Sequence, residues 1–229
     1  MLPRHLASVF ALGLCLLTPL HARSPINTVK TDEPLVALTF DDGPHQPNTT
    51  RLLEILAGED VRVTFFEIGR NVGKHPELAR AIVAAGHEIG NHSLTHANLG
   101  KIDSVEQIRA ELVDTQTVIR DTVGAAPVVF RAPFGSHGPA LWTVLDELKL
   151  PSVLSALHVG DWEKDITTEQ IVDRAAAAKA GDVVLLHTWQ NKTLEAMPEI
   201  IRRLRAKGLR FVTVSELLAS AKTEKRPAP

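Results

Sequence analysis

The sequence has a single cysteine, Cys15, and no tyrosine among its 229 residues. One cysteine cannot form an intramolecular disulfide or a thiolate zinc cluster, so any metal site must use histidine and carboxylate ligands. The chain also lacks an excess of charge of either sign, because 25 basic and 27 acidic side chains leave a net charge of -2. Nucleic acid is therefore not an expected partner, since its binding needs a basic surplus that neutralises phosphates.

The N-terminus has the pattern of a secretory signal peptide. A short segment with basic character precedes an apolar run over residues 6–17, and Pro19 and Ala22 then supply a helix breaker and a small residue for cleavage. This run is shorter than the roughly 20 residues that cross a bilayer, so we expect no stable membrane insertion. We expect residues 1–22 to be removed and the protein to be secreted or periplasmic. A lipidated Cys15 is disfavoured by the bulky residues before it.

Hydrophobic residues make up 44% of the chain and charged residues 23%, a composition typical of an ordered globular protein. Chains usually divide into several domains only beyond about 250 residues, so we expect one domain, over residues 30–220. The charged, proline-containing segment over residues 221–229 is expected to be a disordered tail.

Short apolar runs alternate with helical patterns along the chain, which predicts parallel β-strands with helices between them. About seven β/α units result, and they indicate an α/β fold with a closed or nearly closed barrel. The predicted strands span residues 35–40, 61–66, 87–91, 127–131, 152–157, 182–187 and 209–214. The predicted helices span residues 51–56, 76–85, 104–122, 168–178 and 194–207.

Reactive side chains lie at the ends of four of the predicted strands. Asp41 and Asp42 come directly after the first strand, and His92, Arg131 and His187 lie at or just after the ends of three others. In a barrel of parallel strands, catalytic residues gather at the C-terminal strand ends. Packing does not explain polar residues at one repeated position, so we expect these side chains to form one site.

Asp41 and Asp42 are adjacent carboxylates, and adjacent side chains at a strand end project to different sides. One carboxylate can therefore bind a cation while the other acts as a base. The alternative is a solvated turn, because Gly43 and Pro44 follow directly. A phosphatase with an aspartyl nucleophile is disfavoured, since such sites usually space their two aspartates by one residue.

His92 and His96 are four residues apart, a spacing that places two imidazoles on one face of a helical turn and lets both reach one metal ion. Two histidines and one carboxylate form an open three-ligand site, as catalytic zinc requires. The same ligand set also serves non-haem iron oxygenases. A second, free carboxylate beside the ligand favours hydrolysis, because it can deprotonate water.

Three further motifs supply charged and apolar groups near the strand ends. Arg131 at the barrel mouth can pair with an aspartate and hold it ionised. Strand alternation places Leu185 and His187 on one face, so a small apolar pocket can lie beside a proton donor. A carboxylate such as Asp161, in contact with the imidazole, would fix its orientation and favour its protonated form.

Taken in order, these five motifs resemble those of the polysaccharide deacetylases, the NodB-like carbohydrate esterase family four, and the resemblance covers residues 35–220. It implies a distorted (β/α) barrel with fewer than eight units. It also implies an enzyme that hydrolyses the N-acetyl group of an N-acetylglucosamine-type glycan, such as peptidoglycan, chitin-like or exopolysaccharide chains, to free amine and acetate. The implied cofactor is a divalent metal, Zn2+ first and Co2+ second, and we expect a monomer whose partner is the glycan.

The resemblance implies a role for each motif residue. Asp41 would be the catalytic base, and Arg131 would orient it. His187 would be the general acid, and Asp161 would tune its pKa. The metal ligands would be Asp42, His92 and His96, the acetyl-pocket residues would be Leu185 and Trp162, and a backbone N–H near Phe134 would stabilise the oxyanion.

The sequence departs from the family pattern at three places. Phe134 stands where tyrosine is usual, Thr188 follows His187 where many members have aspartate, and residues 157–160 do not match the extended acidic motif before Asp161. The absence of tyrosine leaves the three tryptophans as aromatic platforms for a sugar ring. These are Trp142, Trp162 and Trp189.

Other functions are compatible with the same residues. An O-acetyl xylan esterase or a small-amide hydrolase could use this site unchanged. A catalytically silent glycan-binding protein and an iron oxygenase are the alternatives outside the hydrolases. The roles of His45, His137 and His158, near the predicted mouth, stay open.

Overall fold

A computed structural model of the chain describes residues 23–221. The predicted signal peptide, residues 1–22, and the predicted tail beyond its first residue lie outside the described residues. Within the part that is described, no helix combines the length and the hydropathy that a membrane crossing needs.

A parallel sheet forms the centre of the fold. Its strand order is β3-β2-β1-β4, and β5 pairs with the start of β1. Every residue of β1 from Leu35 to Asp41 is buried, as expected for a central parallel strand covered on both faces. The strands are β1 (Leu35–Gly43), β2 (Thr64–Glu67), β3 (Glu88–Asn91), β4 (Val183–His187) and β5 (Arg210–Phe211).

The α/β architecture with parallel strands is confirmed, but two of the predicted strands do not form continuous strands. Residues 127–131 and 152–157 contribute only isolated parallel bridges, in which Phe130 pairs with Asn91 on one side and with Ser152 on the other. Pro127 begins the first segment and Pro151 directly precedes the second, and a proline has no N–H with which to extend a ladder. The ring of strands is therefore not closed by continuous pairing.

Eight α-helices lie in the described residues, and five of them correspond to predicted helices. The three that were not predicted are α2, α5 and α8. Since α8 begins at Val214, the prediction of a strand over residues 209–214 is wrong beyond Phe211; Thr213 accepts a hydrogen bond from the backbone N–H of Glu216 and so caps this helix. The helices are α1 (Asn48–Gly58), α2 (Gly69–Lys74), α3 (Pro76–Ala84), α4 (Val105–Val123), α5 (Pro139–Leu148), α6 (Thr168–Ala175), α7 (Asn191–Ala206) and α8 (Val214–Ala219).

The alternation of side chains along β1 separates the core from the site. Val36, Leu38 and Phe40 belong to the main hydrophobic cluster together with residues of α1 and α7. Thr39 and Asp41 point to the opposite face of the strand. This inward face is where the polar groups of the barrel mouth meet, so the packing of β1 against its helices fixes the direction of Asp41.

His87, directly before β3, is a buried histidine that must stay neutral. Its Nδ1 accepts a hydrogen bond from the backbone N–H of Val63 at 3.3 Å, and protonation would remove that acceptor. Burial, with the nearby charge of Arg62, lowers the pKa of His87 from 6.5 to about 4. The unfolded chain therefore takes up a proton between pH 6.5 and 4 that the folded chain does not, and stability falls as the pH falls through this window.

We expect the free energy of unfolding of the wild-type protein to fall by about 2 kcal/mol more than that of His87→Gln between pH 7 and pH 5. Glutamine does not titrate and keeps an acceptor for Val63. Urea denaturation at several pH values measures the difference. Parallel pH dependences for the two proteins would contradict the burial of a neutral His87.

Candidate active site

One cavity of about 650 Å³ lies at the C-terminal edge of the sheet. Apart from Asp161, all the residues predicted for the site line this cavity. The sheet register explains the convergence, because Asp41 of β1 pairs with His187 of β4 and with Phe66 of β2. Neighbouring parallel strands end at the same level and so bring distant parts of the sequence together.

Asp42, His92 and His96 offer ligand atoms that all lie within 4.8 Å of one another. Oδ1 of Asp42 is 3.4 Å from Nε2 of His92 and 3.1 Å from Nε2 of His96. This oxygen is buried and has no hydrogen-bond partner. A buried carboxylate oxygen that has no hydrogen-bond partner and faces two imidazole nitrogens can be satisfied by a divalent cation bound between them. The residues present therefore fit a metal ion with a two-histidine, one-carboxylate ligand set.

The two histidines reach this position from a loop and not from a helical turn. The prediction of a helical turn over residues 92–96 is wrong, since the segment forms bends. Ser93 and His96 both have a φ of 62°, and Asp42 has a φ of 71°. Such left-handed conformations are costly for residues with a Cβ and tend to occur at functional sites.

Glu111 of α4 holds the histidine loop in place. Its carboxylate accepts hydrogen bonds from the backbone N–H groups of Leu94 and Thr95 at 3.0 and 2.9 Å, and from Oγ1 of Thr95 at 2.7 Å. Sequence reasoning missed this residue, because nothing in a helical glutamate indicates which distant loop it will contact. The loop conformation thus depends on a side chain outside the motif.

The orientation of His92 is set by a backbone group. Its Nδ1 is 2.9 Å from the carbonyl oxygen of Arg131, so Nδ1 carries the hydrogen and donates a hydrogen bond to that oxygen. This leaves the lone pair of Nε2 directed toward Asp42, as a metal-binding imidazole requires. The imidazole is almost fully buried.

The predicted pairing of Arg131 with an aspartate is present, and its partner is Asp41. Nη1 of Arg131 donates to Oδ1 of Asp41 at 2.6 Å and to Oγ1 of Thr39 at 2.7 Å. Nε and Nη2 donate to the carbonyl oxygens of Val153 and Leu154 at 3.1 and 2.9 Å. A buried ion pair is stable only when such additional hydrogen bonds offset the desolvation of both charges.

The second oxygen of Asp41 faces the histidine cluster, 3.9 Å from Nε2 of His92. The backbone carbonyl of Asp41 accepts hydrogen bonds from both N–H and Oγ1 of Thr188, each at 3.2 Å. Thr188, which departs from the family pattern, therefore stabilises the end of β1. One oxygen of Asp41 is held by Arg131 and the other is left toward the cavity.

The pKa values of Asp42 and Glu67 are shifted in opposite directions. Burial alone raises the pKa of Asp42, but the imidazoles of His92 and His96 and the indole of Trp189 hold it well below the usual range. Burial, reinforced by the negative charges of Asp41 and Asp42, raises the pKa of Glu67 well above its ordinary value. Asp42 is therefore ionised at neutral pH, whereas the surroundings of Glu67 favour its neutral form.

Glu67 was not predicted to belong to the site, although it directly follows the predicted strand over residues 61–66, as Asp41 and His92 follow theirs. It is completely buried, and neither of its carboxyl oxygens has a hydrogen-bond partner. A Cβ on Gly43 would lie 2.8 Å from these oxygens, so the glycine after the two aspartates leaves room for this side chain.

His187 and Asp161 form a second linked pair. Nδ1 of His187 is 2.7 Å from Oδ1 of Asp161, and the backbone N–H of His187 donates to Oδ2 at 2.8 Å. Oγ1 of Thr193 also donates to Oδ2, at 2.6 Å. Burial lowers the pKa of His187, but Asp161, with the charges of Asp41 and Asp42, raises it above the ordinary value. Asp161 thus lies behind His187, where it favours the protonated imidazole.

Aromatic side chains surround the mouth of the cavity. The ring of Trp162 lies edge-on to His187 at 5.1 Å, and Phe134, whose side chain is 69% exposed, packs edge-on against His96 at 4.7 Å. Trp189 lies 5.7 Å from His187. Trp142 stacks on His137 and does not line the cavity, so only two of the three tryptophans can contact a ligand there.

Residues 28–153 match the family described as polysaccharide deacetylase, a little over half of the chain. A peptidoglycan-N-acetylglucosamine deacetylase of Bacillus cereus is 36% identical over 196 residues, which cover 83% of this chain and 91% of that protein. A bifunctional xylanase/deacetylase of Pseudobutyrivibrio xylanivorans is 37% identical over 81% of this chain. This chain spans 31% of that protein's length. A chitooligosaccharide deacetylase of Rhizobium leguminosarum is 33% identical over 85% of this chain and 87% of that protein.

Solved structures share the fold. The Xyl-CE4 domain of a multidomain xylanase from the hindgut metagenome of Trinervitermes trinervoides has a TM-score of 0.77 and 36% identity, and the match covers 82% of this chain and 91% of that domain. A CE4 family pseudoenzyme from Bacillus anthracis has a TM-score of 0.81 and 29% identity, over 88% of this chain and 71% of that protein. The order of the motifs, the convergence of their side chains and these similarities agree, and the chain belongs to the polysaccharide deacetylase family.

Proposed function

We propose that the chain is a metal-dependent deacetylase that hydrolyses the N-acetyl group of an N-acetylglucosamine-type glycan. The observation that carries this proposal is that two adjacent carboxylates face different partners. Asp42 directs an unpartnered oxygen at two imidazoles, while Asp41 is held by Arg131 with its other oxygen toward the same cavity. Relatives that deacetylate peptidoglycan and chitooligosaccharides support the substrate class.

We assign the metal to Asp42, His92 and His96. Zn2+ is the ion that we expect, with Co2+ as a substitute, because two imidazoles and one carboxylate form an open catalytic site for such ions. When bound, the ion supplies Lewis-acid chemistry, since it polarises the acetamide carbonyl and acidifies water.

In the proposed reaction Asp41 is the general base. Arg131 occupies Oδ1, so Oδ2 is the oxygen available to take a proton from the attacking water. The water oxygen then bonds to the acetyl carbonyl carbon. A backbone N–H near Phe134 would stabilise the negative charge that develops on the carbonyl oxygen.

His187 is the proposed general acid. Because Asp161 holds its Nδ1–H, the Nε2 position faces the cavity, 4.0 Å from Oδ2 of Asp42. The carbon–nitrogen bond breaks as this nitrogen gives its proton to the departing amine, which releases acetate and a free amino sugar. Leu185 and Trp162 line the cavity beside His187 and would enclose the acetyl methyl group.

A second candidate is removal of O-acetyl groups from xylan. The similarity to a bifunctional xylanase/deacetylase and to the CE4 domain of a xylanase favours it, and the same base, acid and metal ligands would serve an ester. The similarity to a pseudoenzyme keeps a catalytically silent relative as the third candidate.

We further propose that residues 1–22 direct export and that residues 30–220 act as a monomeric catalytic domain outside the cytoplasm. The apolar run over residues 6–17 supports export. Peptidoglycan and chitin-like chains are also substrates found outside the cell membrane.

Metal binding is the first test. His92→Ala should weaken Zn2+ affinity by at least roughly 100-fold, because loss of a ligand exceeds the 10- to 100-fold cost of losing an outer partner. His158→Ala is the control, since His158 is exposed and contacts Glu163. Competition with a chromophoric chelator measures both affinities, and equal affinity in the two variants would reject the ligand assignment.

Asp41→Asn should lower kcat by at least about 100-fold while leaving the metal bound, because an amide cannot accept the proton from water. Asp121→Asn, on an exposed side chain, serves as the control with normal activity. Acetate release and metal content are measured on the same samples, after circular dichroism has verified folding. Full activity of Asp41→Asn would remove this residue from the role of base.

Substrate class is tested by acetate release from chitin oligomers, peptidoglycan fragments and acetylated xylan, each with and without a chelator. We expect release from an N-acetylated glycan that the chelator abolishes and that added Zn2+ restores. Release from acetylated xylan alone would establish the ester candidate instead. Release from no substrate would favour the silent relative.

A further inference from the structure

Trp189 contacts the proposed metal ligand Asp42 directly. Its indole Nε1–H donates a hydrogen bond to Oδ2 of Asp42 at 2.9 Å, across 147 positions of sequence. The other oxygen of this carboxylate, Oδ1, faces His92 and His96 and has no hydrogen-bond partner. The two oxygens of Asp42 are therefore divided between an indole on one side and two imidazoles on the other.

The loop that carries Trp189 is fixed by hydrogen bonds to the start of α1 and to the end of β1. The side-chain amide of Asn48 donates to the carbonyl oxygen of Trp189 at 3.1 Å. The preceding residue, Thr188, donates twice to the carbonyl oxygen of Asp41. Loop and carboxylate are thus attached to the same strand end, so the indole is held at a defined position relative to Asp42 although its side chain is 38% exposed.

Asp42 lies near the end of β1 and has a backbone φ of 71°. A carboxylate that is free to rotate would lose orientational freedom when it binds an ion, and that loss weakens binding. A donor on one oxygen restricts this rotation beforehand and reserves the other oxygen for the ion. Outer partners of this kind typically account for about 10- to 100-fold in metal affinity.

We infer that Trp189 is a positioning residue for the metal site, which presents Oδ1 of Asp42 to the ion through the indole N–H. The inference rests on the proposed metal-dependent function. The sequence predicted only a platform for a sugar ring at Trp189; the indole N–H engages the carboxylate, which that prediction did not include.

Trp189→Phe keeps an aromatic ring and removes only the N–H donor. We expect the dissociation constant for Zn2+ to rise about tenfold in this variant. The matched control is Trp162→Phe, at the same cavity mouth, whose ring contacts His187 and not Asp42. Its Zn2+ affinity should stay within roughly twofold of the wild type. Chelator competition on the full chain measures all three constants, and KM is measured on zinc-saturated protein.

The outcomes separate the two roles of Trp189. A raised dissociation constant in Trp189→Phe alone supports the inference. An unchanged dissociation constant with a raised KM would overturn it and return Trp189 to the role of a sugar platform. A wild-type chain that binds no Zn2+ would overturn the proposed function and this inference together, whereas a zinc-binding wild type with an equally tight Trp189→Phe variant overturns the inference alone.

A spectroscopic measurement reads the metal site of the wild type directly, and the variants serve only to assign its resonances. The indole N–H resonances of the three tryptophans are assigned by comparison with the single substitutions. Added Zn2+ should shift the resonance of Trp189 and leave that of Trp142 unchanged, because Trp142 stacks on His137 away from the cavity. An unshifted Trp189 resonance in zinc-loaded protein would overturn the inference.

Discussion

The buried guanidinium of Arg131 is the group on which the site depends. It is 1% exposed and pairs with Asp41 and Thr39 of β1, while its other N–H groups reach the carbonyl oxygens of the segment after Pro151. It also lies over the ring of Phe66, 4.0 Å from the ring centre. A buried charge without a partner costs several kcal/mol, so the pairing of Arg131 with Asp41 stabilises this arrangement of the strand ends. The same residue supplies the carbonyl that orients His92.

This constraint explains why two adjacent aspartates can have different chemistry. Asp41 follows the alternation of β1 and points inward to Arg131, whereas Asp42 lies where the pairing of β1 is irregular, has a left-handed backbone and turns to the histidine loop. Each carboxylate then has one oxygen engaged by a donor, Arg131 in one case and Trp189 in the other. The remaining oxygen of each faces the cavity. In each of the two carboxylates, one oxygen is thus fixed by a donor and the other is available for chemistry.

The sequence predicted the parts of the site that follow from strand ends. Apolar runs located β1 and β4, and parallel strands bring Asp41 and His187 into register. Contacts that link distant, unrelated elements could not be predicted, because neither periodicity nor spacing records them. The glutamate that holds the histidine loop and the indole on Asp42 are of this kind. Glu67 is different, because it directly follows a predicted strand and the rule that selected Asp41 applies to it as well. The helical turn expected around His92 failed because side-chain hydrogen bonds to the loop replaced helical ones. Short helices such as α2, and the true extent of the strand segments next to prolines, could not be predicted because they are too short to show a periodic pattern.

The central claim is that one aspartate binds the metal while its neighbour, held by Arg131, does not. A crystal structure of the zinc-loaded protein, with an anomalous difference map at the zinc edge, tests it most directly. The account predicts one peak bound by Asp42, His92 and His96, with Asp41 still paired to Arg131 outside the coordination of the ion. A peak coordinated by Asp41 in place of Asp42, or located away from the two histidines, would contradict it.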